Sequence, residues 1–573
     1  MALENRELME YACERFEEGK YDEALESFAL LYMRGYEQEW LIETIYNCYM
    51  AENDEKFRKA FHPFAEKSKD IYEECILDFI PYRDGEYYIF DKELEIFRGI
   101  FSVPDLEKTD LRPVFQEMEF SGAVLELDWD WNKEKPVLAA ARNRKIYAIC
   151  HDRNRCMSFF KIPELADYMN NIRLFSDVLE FQDYFHQNTS VYLPRILLGN
   201  KDTIEKLDNI IDQEHQYRLT PEGRNTKNVL LTIGIPTANR GHMVLKRLEN
   251  LLRMCYDAEI EIAISKNCND YYQEEYDEVG RITDARIHYF DHGIRLKASD
   301  NWIYTVEMAH GKYVLFVSDE DDVVIEAVEH YLALLSKHPE AGLIRARTEF
   351  QCADIKENLH KKKGLEAFSA EFLRQNYLSG LIVRREDFIL EDLHKLNEFS
   401  DNYFFACYPH EWWCAILSRR GDYLEDPVTL ISENESLISE EVEMGRKKGL
   451  ELQAGEEGLV KNSKLPTYAT YESRLKQFRG YIDFIHYFME EDCQGAEAGL
   501  ALAIGKASFL FELARRYSYK PDDFLNMTDK LLWSFMEAID EFTLEEEQKI
   551  HLLKMAESCG LHLMGLHEQL GGI

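Results

Sequence analysis

The sequence predicts an α/β fold built around a doubly wound sheet that begins near Val229. Three observations carry that prediction. Continuous apolar runs of strand length recur after Val229 and alternate with segments of helical periodicity. Three of those runs end in polar clusters. The pattern changes on both sides, to amphipathic helices before about residue 72 and again beyond Pro466. Four segments are therefore expected: a repeat-like helical segment over 1–72, a small α/β or α+β domain over 73–220, the central domain over 228–435, and a helical bundle over 464–573.

Bulk composition agrees with several folded cores. The chain has 573 residues, which suggests roughly three or four domains, and 46 % of them are hydrophobic, with 33 Tyr and 33 Phe. The formal net charge of -40 argues against nucleic acid or an anionic membrane as partner. No apolar run is long enough to span a membrane, and MALENRELMEYACERF lacks the basic and apolar regions of a secretory signal. The 12 Cys are scattered, as in a reduced protein, so a cytoplasmic location is expected. The tightest His/Cys group, Cys150, His151 and Cys156, lacks a fourth metal ligand.

At the front, ACERFEEGKYDEALESF places Ala12, Phe16, Gly19, Tyr21, Ala24 and Phe28 at spacings similar to a tetratricopeptide repeat. Small residues let two helices approach, Gly19 serves the turn and the aromatics fill the groove. Between 75 and 220, runs such as GEYYIF and SGAVLELDWDW read as short strands mixed with helices. Asp128, Trp129, Asp130 and Trp131 could form a sugar platform, but alternation along a strand is the simpler account. TPEGRNTKN, residues 220 to 228, is a natural linker.

In the centre, NVLLTIGIP is a buried parallel strand ending at Pro236, followed by the polar turn Thr237–Gly241 and the helix MVLKRLENLLRMC. EIEIAIS, RIHYF, KYVLFVS and GLIRARTEF give four further strands, and Ser299 to His310 reads as a helix stopped by Gly311. Ligands of such sheets bind outside the carboxyl ends of the strands. Thr237–Arg240, Lys266–Asp270 and Asp319–Asp322 all fall at such ends. Carboxylates are hard ligands suited to Mg²⁺ or Mn²⁺. The competing account of SDEDD is an acidic helix N-terminus.

LTIGIPTANR, the strand ending in SKNCND, and the run from HGIRLKASDNW through GKYVLFVSDEDD resemble the family 2 glycosyltransferases of the GT-A fold, over about 228 to 435. The resemblance implies an inverting transferase that moves a sugar from a nucleotide diphosphate to an acceptor hydroxyl on a glycan, surface polysaccharide or protein, with a divalent metal, Mn²⁺ or Mg²⁺. It places Pro236, Thr237, Asn239 and Arg240 in the nucleotide pocket with Asn267 and Asp270. Asp319 is expected near the ribose and Asp321 on the metal, with Asp319 and Asp322 as further metal ligands. Asn301, followed by Trp302, is either a pocket residue or a structural one at the helix start. Lys266 departs from the family, which usually has an acid there to bind the base; lysine cannot accept that bond, so either Asp270 or Asn269 substitutes or the donor is not of the commonest uridine type.

NYLSGLIVRRED, residues 376 to 387, resembles the strand and turn in which Ser379 and Gly380 face the donor sugar. Inversion needs a general base, for which Glu411 is the first candidate and Asp401 the second, with packing or capping as the competing role for each. His410 could contact phosphate or acceptor. Trp412 and Trp413 offer a stacking face, of which adjacent helical positions allow at most one to be used. A nucleotidyltransferase would want a Gly-rich basic loop after the first strand, where only Arg240, Gly241 and His242 stand. The remaining rival is a catalytically silent scaffold whose helical flanks bind a protein partner or a second copy.

Overall fold

The computed structural model describes residues 2–68, 71–108, 122–127, 135–142, 144–254, 259–267, 272–372, 377–433, 470–489, 493–518 and 521–571. The chain divides into two compact units, Met1–Arg224 and Asn225–Ile573.

In the first unit, helices Ala2–Glu17 and Tyr21–Met33 are joined by a tight turn at Gly19, whose φ of +77° favours glycine. Ala12, Ala24 and Phe28 are buried, and the Phe16 ring meets Tyr21 edge-on at 5.1 Å. Helices Gln38–Ile45 and Asp54–Ser68 follow. An antiparallel meander comes next: β1 (Leu77–Arg83), β2 (Glu86–Asp91) and β3 (Ile96–Ser102). Helices and meander share one core, in which Tyr32 lies edge-on to Phe90 at 5.6 Å and to Phe97 at 5.5 Å. The apolar face that a repeat would offer to the next repeat is covered here by a sheet.

The same unit holds a parallel sheet of β4 (Ala123–Leu127), β5 (Ile146–Cys150), β6 (Ile172–Phe175) and β7 (Ile196–Leu198), in the order β6-β5-β4-β7. The chain steps outward from β4 to β6 and then returns to lay β7 on the far side of β4, a doubly wound arrangement. His151 Nε2 lies 2.8 Å from Glu126 Oε1, while Cys150 and Cys156 are buried. Among the described residues these three do not converge on a metal position. Asp128, Trp129, Asp130 and Trp131 lie outside the described residues.

The second unit contains β8 (Leu231–Thr237), β9 (Ile260–Lys266), β10 (Ile287–Asp291), β11 (Tyr313–Phe316), β12 (Asp322–Val323), β13 (Ala341–Thr348), β14 (Leu359–Lys361), β15 (Leu381–Arg384) and β16 (Asp422–Ser432). Among the described residues they form one sheet in the order β10-β9-β8-β11-β15-β13-β16-β12, with β14 beside β16. Every residue of β8 and β9 is buried, as expected for strands covered on both faces. β10, β9, β8 and β11 run parallel. Beyond β11 the sheet departs from the doubly wound expectation, because β15 lies antiparallel between β11 and β13. Gly380 makes the splice: its N–H donates to Phe316 O at 3.0 Å, and its carbonyl accepts from Ala346 N at 2.9 Å.

Helices Tyr471–Met489, Cys493–Ser518, Pro521–Glu541 and Glu546–Gly571 make the C-terminal bundle. Its apolar faces continue the core of the sheet domain, and Phe484 stacks on Phe372 at 4.7 Å. No described helix is long and apolar enough to cross a membrane.

Glycines at two depths of this bundle give opposite expectations. A Cβ on Gly480 would sit 2.6 Å from Phe404 Cβ and 2.7 Å from Asn402 Oδ1. Gly480→Ala should therefore cost about 1–3 kcal/mol. A Cβ on Gly565 meets nothing within 4 Å, so Gly565→Ala should stabilise its helix by about 0.5–1 kcal/mol. Thermal unfolding midpoints should move in opposite directions; equal shifts would contradict the packing described.

Candidate active site

The carboxyl ends of β8, β9 and β11 converge as parallel pairing requires. At the end of β8, Pro236 is opposite Ser265 in register, and Thr237 opposite Lys266. Asn239 takes φ +63°, turning the chain so that Arg240 caps the helix Gly241–Leu251. A directed chain of hydrogen bonds runs through this turn. Arg240 N–H donates to Tyr276 Oη at 3.1 Å, and Tyr276 Oη and Thr237 Oγ1 are 2.7 Å apart. Thr237 Oγ1 donates to Asp319 Oδ2 at 2.7 Å. Since Thr237 spends its proton on the carboxylate, Tyr276 must be the donor to Thr237. Burial, reinforced by Asp319, pushes the Tyr276 phenol up and keeps that proton in place.

The four acids of the Asp319–Asp322 run have separate fates. Asp319 Oδ1 accepts from Arg240 Nη1 at 2.8 Å, and the same nitrogen reaches Glu320 Oε2 at 2.6 Å. Burial raises the Glu320 carboxyl above its ordinary range although Arg240 opposes the shift. Asp321 Oδ2 accepts from Tyr377 Oη at 2.6 Å and Ser379 Oγ at 2.5 Å. Burial and the adjacent Asp321 together raise the Tyr377 phenol. Asp322, expected as a further metal ligand, is instead gripped through both oxygens by Arg247 Nη1, at 2.7 and 2.8 Å. That ion pair anchors β12 to the helix after β8.

Asp319 and Asp321 are nearly inaccessible carboxylates at the mouth of the sheet. A donor set of hard oxygens, with Asp321 Oδ2 held by neutral hydroxyls that leave its charge in place, fits a divalent ion. Asn239 Oδ1 is buried and has no hydrogen-bond partner among the described residues, as suits a group that meets a ligand.

At the end of β9, Lys266 Nζ pairs with Asp291 Oδ2 at 2.6 Å, donates to Gln273 Oε1 at 2.8 Å and lies 4.8 Å from the Tyr276 ring centroid. Burial opposes ionisation of Asp291, yet the Lys266 ammonium holds its carboxyl below the ordinary value. Asn267 makes a reciprocal pair with Leu296, accepting from its N–H at 2.8 Å and donating to its carbonyl at 2.9 Å. Asn301 is buried; it accepts from Ser265 Oγ at 2.8 Å and donates to the Ser265 and Thr237 carbonyls at 3.1 and 3.4 Å. Asn267 and Asn301 therefore hold strand ends and loop in place. Asn269 and Asp270 lie outside the described residues.

Residues 232–388 match the family described as Glycosyl transferase family 2. This chain carries a family 2 glycosyltransferase domain. With its mixed sheet of GT-A type, the protein is a glycosyltransferase enzyme. No curated protein matches it in sequence. Among solved structures, S. aureus TarS 1-349 in complex with UDP is similar with a TM-score of 0.37 and 12 % identity, over 60 % of this chain and 90 % of that one. TarS 1-349 with UDP-GlcNAc gives 0.32 and 13 %, over 51 % and 93 %. The mannosyltransferase PcManGT from Pyrobaculum calidifontis, in complex with GDP-Man and Mn²⁺, gives 0.31 and 12 %, over 58 % and 86 %. These superpositions are loose, and the assignment stands on the family match and the sheet.

The residues expected on the acceptor side are mostly enclosed. Glu411, in the first turn of helix Pro409–Leu417, is buried and shares its surroundings with Glu371, Phe368, Phe372 and Cys414. Asp401 is exposed, beside Glu398, Asn402, Asp483 and His486, and none of the donor-side residues lines that hollow. Trp412 and Trp413 are both buried, Trp413 against Phe316 and Trp412 against Phe484. Neither offers a face to a sugar, which corrects the stacking expectation. His410 lies 5.6 Å from the Trp302 ring, centroid to centroid. Ser379 and Gly380 do reach the site, at Asp321 and Phe316. Sequence reasoning missed Tyr276, Asp291 and Tyr377. Their signal was weak, because each meets the site through a fold contact rather than a motif.

Two neighbouring acids should separate structure from function. Asp322→Asn breaks the grip on buried Arg247 and should cost about 1–3 kcal/mol, the range for a half-exposed partner of a buried charge. Asp321→Asn retains acceptors for the two hydroxyls and should melt near the parent while losing metal-dependent donor binding. A reversal of these two phenotypes would show the roles to be exchanged.

Proposed function

We propose that the protein transfers a sugar, with inversion, from a nucleoside diphosphate donor to an acceptor hydroxyl, with Mn²⁺ or Mg²⁺ held by Asp321 and Asp319. The observation that supports this best is the convergence of Thr237, Arg240, Asp319 and Asp321 at the carboxyl edge of the family 2 domain. When bound, the ion supplies positive charge to the departing diphosphate. Thr237 and Tyr276 fix the Asp319 carboxylate, so that it enters the reaction already oriented. Arg240, partly exposed beside Asp319 and Glu320, is placed to turn its guanidinium toward phosphate oxygens. Lys266 with Asp291 supplies a charged pair beside the nucleotide base in place of the family's single acid.

We take Glu411 as the general base. Its helix is anchored directly on the strand leading to the acids, through Trp413 against Phe316 at 6.3 Å. Because Glu411 is buried, this role requires the His410–Glu411 turn to open for the acceptor. The acceptor is a glycan, surface polysaccharide or protein hydroxyl, and the helical segments 1–72 and 464–573 are proposed to serve acceptor or partner docking. Nucleic acid is not proposed as a partner for a chain of net charge -40.

Calorimetry with nucleoside diphosphates and their sugars, with and without Mn²⁺, tests the donor site. A donor should bind only with metal, and Asp321→Ala should lose that binding. Glu411→Gln should lower turnover by about 10²–10⁴-fold with donor binding kept, whereas Asp401→Asn should leave turnover unchanged. If no donor binds, the reading fails; if Asp401→Asn carries the loss, the base is misassigned.

A further inference from the structure

We propose that Glu261, His288 and His310 form a second divalent-metal site, for an imidazole-seeking ion such as Zn²⁺, at the edge of the sheet opposite the donor pocket. Glu261 is the second residue of β9 and is fully buried. A carboxylate in that position is costly unless its oxygens are matched. Its Oε1 is held by Thr232 Oγ1 at 3.1 Å and by His310 N–H at 2.9 Å. Its Oε2 faces two imidazoles, His310 Nδ1 at 2.7 Å and His288 Nε2 at 3.2 Å.

The ligand atoms come from three separately anchored pieces of backbone: β9, β10, and the turn after helix Ala298–Glu307. All three lie within 4.8 Å of one another. Tetrahedral Zn²⁺ with bonds of about 2.0–2.2 Å places its ligands roughly 3.3 Å apart, so only small adjustments are needed. One carboxylate and two imidazoles suit Zn²⁺ and its neighbours far better than Mg²⁺ or Ca²⁺. The hydrogen bonds on Oε1 are the orienting partners that a ligating carboxylate needs. The imidazole side chains are 31 % and 44 % exposed, which leaves a face open to an exchangeable fourth ligand.

A plain ion pair accounts for the geometry less well. Two imidazolium rings with centroids 4.7 Å apart would repel each other over a single shared oxygen. The site also differs from the other grouping of its kind, His338, Glu340 and His360. There His360 faces Asp422 Oδ2 at 2.8 Å, and Lys362 Nζ occupies the same oxygen at 2.9 Å, so a cation is already in place. Lys266, at the donor end, is five residues further along β9, about 16 Å away. The ion would staple β9, β10 and the helix bearing Asn301, the residue that holds the ends of β8 and β9 together.

The test uses the full-length protein, stripped by chelator and titrated with Zn²⁺ alone against a chromogenic chelator. One equivalent should bind to the parent and to Asp321→Ala. Affinity should fall by more than about tenfold in His288→Ala and in His310→Ala. Glu261 variants are avoided because the residue is fully buried; His288→Asn and His310→Gln, checked by circular dichroism, serve if the alanine variants fold poorly. Zn²⁺ should raise the unfolding midpoint of the parent and not of the His variants. Binding unchanged by either His substitution, or no binding above buffer, overturns the proposal. So does a midpoint that His substitution lowers equally with and without Zn²⁺, which would mark the trio as an ion pair.

Discussion

Four consecutive carboxylates at the end of a buried strand are the constraint around which the donor side is built. Each ionised acid taken from water costs several kcal/mol unless the protein returns hydrogen bonds or opposite charge. Here the returns differ from acid to acid. Asp319 receives a hydroxyl and a guanidinium, Glu320 shares that guanidinium, Asp321 receives two hydroxyls, and Asp322 a second guanidinium. Both arginines belong to one helix: Arg240 caps it, and Arg247 follows seven residues, about two turns, later on the same side. The strand–turn–helix after β8 therefore does two jobs. It forms one wall at the carboxyl edge of the sheet, and it neutralises the acids that the neighbouring strand delivers.

Much of this was legible in the sequence where a local pattern determines the outcome. The apolar runs that became β8, β9 and β11 are continuous and stop at polar residues, so strand, burial and site edge could be read together. β15 could be read as a strand but not as an antiparallel one, since LIVR carries no mark of direction; the direction comes from Gly380 bonding to β11 and β13 at once. β16 was missed because Asp422, Glu425, Asp426 and Pro427 break its apolar pattern. In the structure, register shifts opposite Ala346 and Arg347 absorb the proline, and His360, Lys362 and His330 take up the acids. Nor could the division of labour among the acids be read, because Arg247 meets Asp322 from 75 residues away.

Lys266 shows how a departure from a family pattern can be compensated by register. The position calls for an acid, and the sequence offered only the neighbouring Asp270 or Asn269. The sheet offers Asp291 instead, aligned with Lys266 in the parallel β10–β9 ladder. A lysine on one strand and an aspartate on the next keep an acceptor at the edge of the pocket while neutralising it.

The helix Pro409–Leu417 explains why the C-terminal bundle cannot be treated as an appendage. Consecutive tryptophans on a helix point about 100° apart, so a Trp-Trp pair must satisfy two different surroundings. Trp413 faces Phe316, the last residue of β11, and Phe388; Trp412 faces Phe404, Phe484 and Phe488, two of them from the bundle. Phe484 and Phe488 of the bundle share the packing of Trp412 with Phe399, Phe404 and Phe405 of the sheet domain. The bundle thus completes the core on which the acceptor side rests. The family match ends at residue 388, so both this helix and the bundle lie beyond it. Their packing therefore belongs to this chain's own core rather than to the part that the family pattern covers.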